Sequence, residues 1–151
     1  MSDRSSVSAP SGQNPRSAMS STLEEAQNAH TPLSTLGVIS RRIVALVKEY
    51  YGKGPTHART YRMDDVVLVL LHGGYTPVEK TLMAGGQAQA VTDQRAVFQD
   101  VMRPRFKRVI EEELQREVLA FMSTSHHAPD LNAELFVLSP ETEAAHIDDA
   151  A

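Results

Sequence analysis

The stretch EYYGKGPTHARTYRMDD (Glu49–Asp65) packs a Gly-Lys-Gly, a proline, three tyrosines, two arginines and an aspartate pair into seventeen residues. Glycines around a lysine can cradle a phosphate when they join a strand to a helix N-terminus, where free N–H groups face the anion. Here the order is helix, glycines, strand. The negative end of the helix dipole therefore meets any such anion. Gly52 reads better as a left-handed helix cap and Pro55 as a stop. The anion-binding case that survives is Lys53 with Arg59, converging on a carboxylate or phosphate of a small ligand. Arg59 and Arg62 have opposite strand parity, so one of them at most joins Lys53.

Three other groups carry chemical potential. His126, His127 and Asp130, with His72, are residue types that ligate zinc or iron. Adjacent histidines in a strand point apart, however, and no helical His-x-x-x-His spacing occurs, so a solvated hairpin loop and no metal are expected. Arg103, Arg105, Lys107 and Arg108 form a basic run around Pro104. Lys107–Glu111 and Arg108–Glu112 have helical ion-pair spacing, which predicts a self-neutralised exposed face, with a partner or anionic-membrane surface as the alternative. Asp64-Asp65 is a carboxylate pair in a position where a tight turn favours aspartate anyway. No serine–histidine–aspartate arrangement is legible and the chain has no cysteine, which removes disulfides, thiolate catalysis and zinc–sulfur sites. The expectation is a non-enzymatic protein without a cofactor.

The elements that position these groups follow from periodicity. Leu33, Leu36, Ile39, Ile43, Leu46, Val47 and Tyr50 recur at helical spacing from Ser34. From His57 the period becomes two, with His57, Arg59, Tyr61 and Met63 on one side. After the Asp64-Asp65 turn, VVLVLLH (Val66–His72) reads as a strand covered on both faces or nearly so. Thr76-Pro77-Val78-Glu79 is a helix start with capping-box spacing, and Gly85-Gly86 ends that short helix. A long helix follows over about 89–115, with Val91, Val97, Phe98, Val101, Met102, Phe106, Val109, Ile110 and Leu114 as its apolar stripe and Pro104 as a predicted kink. Strands at 117–125 and 132–139 close the pattern. The order α-β-β-α-α-β-β predicts an α+β fold, four mainly antiparallel strands with helices on one face. Helix plus hairpin occurs twice, which suggests an internal αββ repeat.

The chain has 151 residues, 41% of them hydrophobic, and a net charge of −4. Residues 1–32 are serine-rich and apolar-poor and read as a disordered arm, with a weak capping box at Ser21 and Glu24. Residues 141–151 read as an acidic disordered tail, leaving 33–140 as one domain. Between 34 and 140 there are thirteen Lys/Arg against twelve Asp/Glu. This near-neutral body argues against nucleic acid as a partner. No run is long and apolar enough for a signal peptide or membrane span, which predicts a soluble, cytoplasmic protein. Strand edges left open in a four-stranded sheet suggest a homodimer.

The run SRRIVALVKEYYGKGPTHARTYRMDDVVLVLLHGGYTPVEKTL resembles the MpsC-like proteins, small bacterial and archaeal proteins once known only as a domain of unknown function. QRAVFQDVMRPRFKRVIEEELQREVLAFMSTSHHAPDLNAELFVL is similar to the remainder of that pattern, so the resemblance spans about 34–140. Its most specific pieces are E-Y-Y-G-K-G-P, D-D-x-V-x-V-x-L and the closing E-L-F-V-L. The resemblance implies an accessory or regulatory component of a membrane-potential-generating, cation-coupled inorganic-carbon uptake system, peripheral to a membrane transport subunit. It implies no catalytic residue. The alternatives from the residues alone are a small anionic-ligand sensor and a nucleic-acid-binding protein.

Overall fold

The computed structural model of the chain describes residues 33–141. The expected arm, its short helix and nearly all of the acidic tail lie outside the described residues. Helix α1 (Thr35–Tyr51) opens on Ser34, whose hydroxyl accepts from the Gly37 N–H at 3.2 Å. Its Ile39, Ile43 and Val47 face the sheet, and it closes on Gly52 at φ 86°, whose N–H reaches the Lys48 carbonyl. Strands β1 (His57–Met63) and β2 (Val66–His72) form the first hairpin, turned at Asp64 with φ 48°. Two helices follow, α2 (Pro77–Ala84) and α3 (Ala88–Leu114), then the second hairpin of β3 (Val118–His126) and β4 (Leu131–Leu138).

The sheet order is β1-β2-β4-β3 and every pairing is antiparallel. The α+β class and element order therefore agree with the sequence reading. The two hairpins meet along the β2–β4 seam. Val67, Val69 and Leu71 of β2, Phe136 and Leu138 of β4 and Val118 and Phe121 of β3 point to the helix side. There they pack with Ile39, Ile43, Met102, Phe106, Val109 and Ile110 in a single core.

Two expectations change. β2 is buried only on alternate residues, because the helices cover one face of the sheet and no element among the described residues covers the other. Tyr50, Val97 and Val101, assigned to apolar stripes, are 48%, 65% and 62% exposed. On α3 the inward positions include Arg95 and Gln99 instead. The helix turns the same face inward whether or not valine occupies it, and there a polar cluster takes the place of part of the core. Pro104 lies inside α3, whose span of Ala88–Leu114 includes it.

The Gly52–Thr56 joint rests directly on the joint after β2. Thr56 donates from its backbone N–H and its hydroxyl to the His72 carbonyl, at 2.8 and 2.9 Å. Gly74 has φ +102°, and a Cβ there would lie 3.1 Å from the Gly54 carbonyl oxygen and 3.2 Å from Pro55 Cα. Both the backbone angle and the rigid neighbour oppose a side chain. Gly74→Ala is expected to cost about 1–3 kcal/mol in a denaturant titration. Gly85→Ala, at φ −83° with no atom nearer than 3.5 Å, should change stability by no more than about 0.5 kcal/mol.

Candidate functional site

α2 is short, and its only buried residue is a carboxylate, Glu79. Local chemistry aims that side chain. Thr76 caps the helix by accepting from the Glu79 N–H at 3.2 Å, and Glu79 Oε2 accepts from the Thr76 N–H at 2.8 Å. The capping box read from the sequence is thus present. Its carboxylate also receives Arg95 from α3: Nε donates to Oε1 at 2.8 Å and Nη2 to Oε2 at 3.3 Å. Arg95 Nη1 donates to Asp130 Oδ1 at 2.7 Å and to Asn132 Oδ1 at 3.3 Å. The Tyr51 hydroxyl donates to Glu79 Oε1 and accepts from Gln94 Nε2. The guanidinium also lies 4.6 Å from the Tyr75 ring centre.

One guanidinium therefore ties together the end of α1, α2, α3 and the β3–β4 hairpin. His127 extends the cluster. Its Nδ1 lies 2.9 Å from the Tyr75 hydroxyl, which also donates to the His127 carbonyl, and its Nε2 lies 2.6 Å from Thr92 Oγ1. The expected divergence of the two histidines holds, since His126 turns away to the Pro129 carbonyl at 2.7 Å. The solvated-loop reading is corrected for His127 and Asp130, which are structural partners of Tyr75, Thr92 and Arg95. No group of three or more His, Cys, Asp or Glu among the described residues could hold a metal ion.

Charge states follow from this geometry. Burial by itself would raise the Glu79 carboxyl, but the bonds from Arg95 and Tyr51 outweigh it and hold the group below its ordinary value. Burial works against the Arg95 charge too, and Glu79 and Asp130 more than reverse it. Burial first, then the Glu79 contact, pushes the Tyr51 phenol up to about 12. Every member is committed to a partner, and Arg95 and Glu79 are 3% and 0% exposed. The cluster holds the fold and presents no free acid, base or nucleophile. Removing one partner strands buried charge. Arg95→Leu is expected to lose about 3–5 kcal/mol of unfolding free energy, and the triple replacement Arg95→Leu, Glu79→Gln, Asp130→Asn should recover part of it.

A second buried group differs. Glu134 on β4 is 0% exposed, and neither carboxylate oxygen has a hydrogen-bond partner among the described residues; Gln99 Oε1 beside it is also unpartnered. Burial raises the Glu134 carboxyl to about 7, with Ser123 and Gln99 offsetting only part of the effect. The folded chain then holds its proton while the unfolded chain releases one near the ordinary value of 4.5. Stability therefore falls as pH rises from about 4.5 to about 7 and is level above that. Glu134→Gln should be neutral at pH 4 and stabilising at pH 8 by on the order of 3 kcal/mol, read from melts at both pH values.

The remaining sequence candidates lie in different places. Lys53 lines a cavity of about 20 Å³ with Tyr51, Arg95 and Gln99. Arg59 lines an open groove of about 760 Å³ between α1 and β1, and its guanidinium stacks 5.4 Å from the Tyr61 ring centre. Asp65 receives Arg116 at 2.5 Å, so the aspartate pair is a turn anchored by a salt bridge. The predicted pairs on α3 do not form. Glu111 accepts from the Val118 N–H at 3.0 Å, and Glu112 and Glu113 both bind Arg42, at 2.6 and 2.7 Å. Arg103 pairs with Asp100 at 2.7 Å, while Arg105, Lys107 and Arg108 have no ion-pair partner among the described residues. Arg105 lies 4.5 Å from the Tyr50 ring centre, in a groove of about 370 Å³ between α1 and α3 that Arg108 also lines.

The described residues form a two-layer α+β fold, with a groove lined by Arg105 and Arg108 between α1 and α3 and an apolar sheet face that none of their helices covers. The model of the MpsC family, described as the Na+-translocating membrane potential-generating system (MpsC), matches residues 35–140, and the chain belongs to that family. No curated protein and no solved structure matches it. No helix among the described residues is long and apolar enough to cross a membrane.

Proposed function

We propose that this chain is a non-enzymatic accessory or regulatory component of a membrane-potential-generating, cation-coupled transport system of the inorganic-carbon uptake type, acting through protein contacts. Family membership supports the system-level assignment. The observation that carries the mode of action is the groove between α1 and α3. It combines an apolar floor of Ala45, Leu46 and Val109 with Arg105 and Arg108, which form no ion pair among the described residues, although Glu49 also lines the groove. Arg42, on the same wall, is already consumed by two glutamates. Such a groove suits an acidic, amphipathic segment, with apolar side chains on the floor and carboxylates on the two guanidinia. The occupant is an acidic cytoplasmic segment of the membrane transport subunit.

The test is co-purification from native membranes solubilised in mild detergent, using the tagged full-length chain. Wild-type protein should bring down an integral membrane subunit of the transport system. The variant Arg105→Glu, Arg108→Glu should lose that subunit, while its melting temperature stays within a few degrees of wild type because both residues are on the surface. Wild type that recovers no transport subunit, or a variant that recovers as much as wild type, would overturn the reading.

A further inference from the structure

The helix layer covers one face of the sheet; the other face is a regular apolar field. Strand register places Tyr61, Leu68, Leu135 and Met122 in one row across all four strands. Met63, Val66, Val137 and Ala120 form the row on one side, and Arg59, Leu70, Ala133 and Thr124 the row on the other. Met63, Met122 and Tyr61 are 68%, 55% and 42% exposed. Arg59 is the single charge in these three rows. An antiparallel sheet with one solvated face ordinarily alternates apolar with polar residues, and β2 and β4 depart from that rule with Val66, Leu68, Leu70, Leu135 and Val137.

We infer that a second copy of the chain covers this face, sheet stacked on sheet about a two-fold axis running along the β2–β4 seam. Four strands about 4.8 Å apart and about 25 Å long give a footprint that buries on the order of 1,000 Å² or more when two are stacked, the size at which specific interfaces begin. The axis makes the face self-complementary. It lays β1 over the partner's β3 and β2 over the partner's β4, so each row meets itself reversed. Bulk then meets gap: Met63 opposes the partner's Ala120, and Leu70 the partner's Ala133. The charge is accommodated as well, since Arg59 opposes the partner's Thr124 and not a second arginine. This is the isologous contact of a closed dimer.

The chain's own ends are poorly suited to the task. Residues 1–32 offer only Val7, Met19 and Leu23 as large aliphatic or methionine side chains after Met1, and residues 142–151 only Ile147. Edge-to-edge pairing is disfavoured on one side, because the register of β3 shifts between Val118 and Ala120, and such a bulge interrupts the hydrogen-bonding edge. The dimer expected from the sequence is thus relocated from the strand edges to the sheet face.

The experiment is sedimentation equilibrium of the full-length chain across nanomolar to micromolar concentration. Wild type should give twice the chain mass at micromolar concentration. Met122→Lys and Tyr61→Lys, each at a position already exposed in the protomer, should keep the fold by circular dichroism and weaken dimerisation about a hundredfold by placing a charge in the stack. Val97→Lys on the helix layer should leave the dimer intact. A wild-type monomer at micromolar concentration would overturn the proposal and point to a different protein on this face. So would a dimer insensitive to both sheet-face substitutions. Because Arg105→Glu, Arg108→Glu should remain dimeric, loss of membrane-subunit docking and loss of self-association are separable.

Discussion

The guanidinium of Arg95 is the group on which the arrangement of helices and hairpins depends. It is nearly solvent-free and binds Glu79 of α2 and Asp130 of the β3–β4 loop. α2 contributes only half-buried apolar side chains, Leu82 and Met83, and its one fully buried residue is Glu79, so apolar burial alone fixes its position weakly. The helix is held by its capping box and by the charge that its third residue offers to α3. A buried ion pair contributes little net stability when both partners are weighed against apolar replacements. Its value is geometric: in this arrangement one guanidinium meets a carboxylate from α2 and one from the loop at once. The joint at Gly52–Thr56 is held in the same region, stacked on Gly73-Gly74 and beside Tyr51, which donates to the same Glu79 oxygen.

This commitment of charge decides what the protein can do. The interior carboxylates, the arginine and the phenol are all spoken for. Glu134, the exception, sits within the core with its proton retained to near neutral pH. What remains available to other molecules lies outside: a basic groove between α1 and α3, and an apolar sheet on the opposite side. The two surfaces do not compete. A dimer built on the sheets turns its two helix layers outward, and each carries one groove.

Much of this was legible in the residues. Period three to four before Gly52, period two after His57 and the Thr76–Glu79 spacing identify most elements and the order α-β-β-α-α-β-β. The strand parity that separates Arg59 from Arg62 also carries over, with Thr60 turned inward between exposed neighbours. The errors share one cause. Hydropathy selected Val97 and Val101 for the core of α3, whereas helical spacing from Val91 through Arg95, Gln99, Met102 and Phe106 marks the inward face. Arg95 drew no notice in the sequence, because its partners, sixteen and thirty-five residues away, are invisible to local pattern. The i,i+4 pairs failed for the same reason, since Arg42 on another helix competes for Glu112. The bare face was hidden too: alternate leucines and valines in β2 look the same whether a second layer comes from this chain or from another.

Native-state hydrogen exchange resolved to single amides tests the central claim most directly. If Arg95 couples α2 to the hairpin loop, the amides of Leu82 and Met83 will exchange with the same free energy of opening as the Gly73 amide, which bonds to the Asp130 carbonyl. In Arg95→Leu both sets will fall together. If α2 exchanges through a low-energy local opening while the Gly73 amide stays protected to the global limit, Arg95 is not the link and the account fails.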